Sequence, residues 1–145
     1  MSLLVFWTSE QYYDDLETSD KSFVFNQNNV KIFRIAEGQH VWTFTRRKDK
    51  TYVVASDLIA VSTKVNKHHT HDFAQGKYQV IGDRERSRYF NIEKGQGAEL
   101  LIRSLSFHPQ ADILGESFQG ENGVRQLSKN DEQKLITFAS TLPTI

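Results

Sequence analysis

The chain has no cysteine among its 145 residues. Disulfides, thiolate zinc sites and cysteine nucleophiles are therefore excluded. It also lacks an excess of either charge, with 18 Lys plus Arg against 18 Asp plus Glu. Bulk charge thus predicts no acidic partner, and binding to nucleic acid must rest on local patches. No stretch approaches the roughly 20 apolar residues of a membrane span. The N-terminal run Leu3–Trp7 is too short for a signal peptide and has no basic flank. A soluble, cytoplasmic protein without a membrane partner is expected, and the absence of thiols is compatible with a reducing compartment. Chemical motifs are missing too. Ser9, Ser87 and Ser117 have no nucleophile-elbow context, and Gly120-Glu121-Asn122-Gly123 lacks the lysine and preceding strand of a phosphate loop.

What is present is the composition of one domain spanning 1–145, with 38% apolar, 25% charged and 12% aromatic residues. Leu3–Trp7 has the length of a buried strand, and Thr8 or Ser9 could cap a short helix. Residues 22–25 read as a strand, NQNN (26–29) as a turn and VKIFRIA (30–36) as a strand buried on most of both faces. Residues 40–46 and 51–65 form a hairpin across the charged turn 47–50, and 77–82 is a further strand. Residues 97–107 carry Leu100, Leu101, Ser104 and Leu105 at helical spacing. Residues 108–127 read mostly as loop. Residues 128–143 are the clearest helix: Ser128 caps it, Asp131 completes an acidic capping box, Leu135, Ile136, Ala139 and Leu142 form its stripe, and Pro143 ends it. Six or seven strands joined by short turns should pair antiparallel. The expected fold is α+β and β-rich: a curled sheet or pseudo-barrel flanked by two or three short helices.

Three groups of residues could carry chemistry. Arg84, Arg86 and Arg88 alternate, and in a strand they would project from one face about 7 Å apart, near the spacing of successive phosphates on one strand. Arg46 and Arg47, with Lys48 and Lys50, could extend that patch; salt bridging to Asp83, Glu85 and Asp49 is an equally good account of both clusters. His68, His69 and His71 fall in one four-residue window and could bind a metal, assisted by Asp14, Asp15 and Glu17, although a solvated loop and first-turn helix charges explain them more simply. Trp7, Tyr12, Tyr13 and Trp42 could line a site in which a base stacks.

The stretch FWTSEQYYDDL (6–16) resembles the start of EVE domains of the PUA-like superfamily: Trp7, Ser9, Glu10, Tyr12 or Tyr13, and Asp14-Asp15-Leu16 match in order. Gln11 stands where that family has proline. The segment EGQHVWTFTRRKDKTYVVASDLIAVS looks like the next part of the same fold. GKYQVIGDRERSRYF with LLIRSLSF is similar to a block in uncharacterised bacterial proteins of this type. The resemblance covers residues 3–107 and departs at 22–34, where EVE domains carry an Arg- and Asn-rich loop. It implies a curled, helix-flanked sheet that binds DNA or RNA and holds a modified base in an aromatic pocket. The leading expectation is a noncatalytic reader. Trp7, Trp42, Tyr12 and Tyr13 stack the base, Ser9 and Glu10 bond its edge, and Arg46, Arg47, Arg84, Arg86 and Arg88 grip phosphates. No cofactor is expected, and an effector protein is a further partner class. The alternatives are a small metal-dependent nuclease or hydrolase using His68, His69 and His71, and a protein-interaction domain.

Overall fold

The computed structural model describes residues 1–13 and 23–145. Asp14, Asp15 and Glu17 lie outside the described residues. Among the described residues the seven strands are β1 (Leu3–Phe6), β2 (Val24–Gln27), β3 (His40–Arg46), β4 (Tyr52–Val65), β5 (Tyr78–Gly82), β6 (Arg88–Tyr89) and β7 (Val124–Gln126). They form one sheet in the order β2-β5-β4-β3-β1-β7, with β6 on β4. The sheet is mostly antiparallel and does not close into a barrel. The described helices are a turn at residues 9–13, α1 (His71–Gln75), α2 (Glu99–Arg103) and α3 (Lys129–Ala139). The fold is thus α+β, with an open sheet and one more helix than expected.

β4 organises the molecule because it is long, β-branched and bent. Its first half pairs with β3 and its second half with β5, with a register shift between Ala60 and Ser62. Tyr52 to Leu58 are all buried, because this half is covered on both faces. On one face Val53, Ala55 and Leu58 join Leu3, Val5, Trp7, Phe25, Ile32 and Val80. On the other, Tyr52 and Val54 join Leu4, Trp42, Phe44, Ile102, Leu114 and Leu135 beneath α2 and α3. Beyond Ala60 the strand is mostly solvated and pairs with β5, whose other edge carries β2.

Several expectations need correction. β1 pairs parallel with β3, Leu3 opposite Val41; residues 7–39 separate the two strands, the length that a parallel crossover needs. Residues 30–34 are a 3-10 turn rather than a strand. Asn29 caps it by accepting the Lys31 N–H at 3.0 Å, and Ile32 and Ile35, three apart, are the buried pair. β2 starts two residues later than the expected strand, so Asn26 and Gln27 belong to it. α2 ends at Arg103 and turns Ala98, Ile102 and Leu105 inward, leaving Leu100 88% exposed. α3 has its capping box, with Leu135, Ala139 and Leu142 buried but Ile136 exposed.

Candidate functional site

The two indoles do not share a hollow. Trp7 is 5% exposed and packs edge-on against Tyr12 and Phe25 at ring distances of 6.0 and 5.7 Å. Trp42 is fully buried in the core on the opposite face, stacked under His40 at 5.9 Å, with its Nε1 unpartnered among the described residues. Tyr12 is likewise buried and donates its hydroxyl to the Phe90 carbonyl; burial raises its pKa, and Tyr13 and Glu93 add to the rise. Tyr13 donates to Glu93, and burial followed by that bond raises its pKa to about 12. Ser9 is half-buried and Glu10 exposed on the helical turn that Thr8 and Gln11 cap reciprocally, Thr8 N donating to Gln11 Oε1 and Gln11 N to Thr8 Oγ1. The residues expected to form one stacking wall are therefore split between two cores, because β1 and β3 present alternate side chains to opposite faces of the sheet.

The arginine row is also broken up. Asp83 turns the chain by accepting the Glu85 and Arg86 N–H groups at 2.8 and 3.0 Å, so only Arg88 lies in a strand. Those bonds hold the Asp83 carboxyl below the usual carboxylate range. Arg86 pairs with Asp83 at 3.1 Å, Arg84 lies over the Phe23 ring at 5.2 Å, and Arg88 pairs with Asp57 at 3.2 Å. Arg47 turns inward and donates to the carbonyls of Ile92, Glu93 and Gly95, while Arg46 covers the Tyr52 ring at 5.5 Å. Most of these guanidinium groups are engaged in holding turns and loops together.

His68 packs on Phe73 at 4.3 Å, and His71 lies beside Gln75 in α1. Among the described residues, no group of three His, Asp or Glu side chains is placed to hold a metal.

Two polar arrangements escaped sequence reasoning. In the first, Asp57 is buried on β4; its carboxylate takes His40 Nδ1 at 2.6 Å and Arg88 Nη2 at 3.2 Å, tying β3, β4 and β6 together. The second is an open cleft of about 700 Å³ lined by Gln27, Asn28, Asn29, Val30, Lys31, Arg34, Gly120 and Glu121. The end of β2 and the 3-10 turn form one wall, and the 3-10 turn Gly120–Gly123 forms the other. Asn29 Nδ2 donates to the Gly120 and Glu121 carbonyls at 3.2 and 3.3 Å, and Lys31 Nζ to Glu121 at 2.8 Å. Asn28 Oδ1 accepts the Lys77 N–H at 3.0 Å. Behind the cleft, a Cβ on Gly76 would lie 2.4 Å from the Gln27 backbone nitrogen, so only glycine lets α1 approach β2 this closely. Arg34 is exposed at the mouth. With Asn29 and Lys31 engaged across the cleft, the amide nitrogens of Gln27 and Asn28 are left as donors for a flat polar ring, and Arg34 supplies charge for an anion. The signal in the sequence was there: four successive carboxamides at 26–29, then Lys31 and Arg34 at the three-residue spacing of a 3-10 turn.

Comparison with protein-family models, with curated proteins and with solved structures gives no match. Among the described residues, no helix is long and apolar enough to cross a membrane.

Proposed function

We propose that this chain is a noncatalytic nucleic-acid-binding domain of PUA-like type, acting in the cytoplasm and holding a base, plain or modified, in the cleft between residues 27–34 and 120–121. The cleft's composition carries the reading. Asn and Gln side chains bond base edges in pairs, and Lys and Arg hold the flanking phosphates. The β-rich fold and the EVE-like residues 6–13 support it. The phosphate contacts move from the expected arginines, most of which are paired, to the exposed Arg34, with Lys31 holding the Glu121 carbonyl beside it.

The test is fluorescence anisotropy with labelled DNA and RNA oligonucleotides, plain and base-modified, at a low and a high salt concentration. Binding at low salt that weakens with salt is expected, because neutralised phosphates release counterions. Arg34→Ala should flatten the slope of log affinity against log salt by about 1. Failure of every oligonucleotide to bind at low salt overturns the proposal, and an unchanged slope removes Arg34 from the contact.

A further inference from the structure

We infer that the nucleic acid taken by this cleft is single-stranded, and that one of its bases stacks on the exposed Phe33 ring beside it, which rests on the half-buried Tyr78. The inference rests on the cleft reading above and adds the form of the ligand. Phe33 sits on the same 3-10 turn as Lys31 and Arg34, yet it is 39% exposed. Its ring lies 5.5 Å from that of Tyr78 at an interplanar angle of 52°. Tyr78 stands opposite Gln27 on one side and Val65 on the other, so the ring pair borders the carboxamide wall directly. Val65 and Val30 are also exposed, at 51% and 45%, which makes an apolar strip running from the cleft towards the end of the β4–β5 hairpin.

Charge complements that strip. Lys77 Nζ lies 5.5 Å from the centre of the Tyr78 ring, Lys31 and Arg34 flank Phe33, and Lys67 is exposed in the loop that follows β4. Nearby carboxylates are Asp72 in α1 and Glu121 across the cleft. Rings interleaved with cations suit a chain whose bases and phosphates are both accessible. In a duplex the base faces are stacked on one another and cannot lie on a protein ring. A base flipped from a duplex needs an enclosing pocket to repay unstacking, and Phe33 is exposed to solvent rather than enclosed. A strand that is already unpaired pays no such cost.

Anisotropy titrations of the full chain decide the matter, using a labelled mixed-sequence oligonucleotide of about 12 nucleotides, single-stranded and as its duplex, at low salt. The single strand is expected to bind at least about tenfold more tightly than the duplex. Phe33→Leu keeps apolar bulk over Tyr78 but removes the π-face, and it should weaken single-strand binding about tenfold with no change in melting temperature. Equal affinity for the duplex, or full affinity in a normally folded Phe33→Leu variant, overturns the inference and leaves the cleft reading standing. If neither form binds, both fall. The preference of the wild-type protein does not depend on how well the variant folds.

Discussion

Asp57 is a carboxylate with only 3% of its side chain exposed, placed where an apolar residue would cost less. It is held by His40 and Arg88, and the consequence shows in the imidazole. The hydrogen bond to Asp57 raises the His40 pKa above its ordinary 6.5; burial and Arg88 oppose the rise, while the charges of Asp57 and Glu132 assist it. The folded state thus binds the His40 proton more tightly than the unfolded chain does. Its stabilising contribution is complete below pH 6.5 and is lost as pH rises through the raised value. Chemical denaturation from about pH 5 to about pH 9 should therefore show the advantage of wild type over His40→Gln shrinking as pH rises. Parallel stability curves would mean that His40 does not titrate against Asp57.

Among the elements, α3 depends on a single carboxylate that serves two neighbours. Asp131 accepts from Ser128 N at 3.1 Å within the capping box, and from Ser106 N and Oγ at 2.9 and 2.5 Å beyond the end of α2. Burial raises its pKa, but the bonds from Ser106 and Ser128 outweigh that and hold it below the usual value. Asp131→Ala orphans donors on both elements and should cost about 3 kcal/mol in urea unfolding. Ser128→Ala removes only a cap and should cost about 1 kcal/mol. The capping box was legible in the sequence because all its partners lie within four residues; the link to Ser106 was not, because it depends on how α2 stops. Residues 30–36 misled for a related reason. Their apolar residues satisfy both a period of two and a spacing of three, and the Asn29 cap, with Ile32 and Ile35 packed beneath β5, selects the second.

For the molecule as a whole, equal numbers of acidic and basic residues leave little long-range field, so affinity for a polyanion has to come from a few contacts. The cleft and the 83–86 turn lie beyond opposite ends of β5, since Tyr78 adjoins Gln27 while Gly82 precedes Asp83. Arg86 is already paired with Asp83. Arg86→Ala should therefore leave the salt dependence of oligonucleotide binding unchanged while Arg34→Ala flattens it; the reverse result would move the interface to the turn.

The sequence alone determined the class of fold, the long β4, the capped C-terminal helix and the absence of thiol chemistry. These follow from local patterning and composition, in which each residue acts on neighbours a few positions away. Only the tertiary structure decided which side chains meet. Leu4 and Trp42 face one core while Val5 and Val41 face the other, because a strand alternates sides and the sheet is covered on both. That geometry buried the indoles in separate interiors, tied most of the arginines to nearby partners, and set the carboxamides of residues 27–29 against the distant Gly120 and Glu121 to open the cleft.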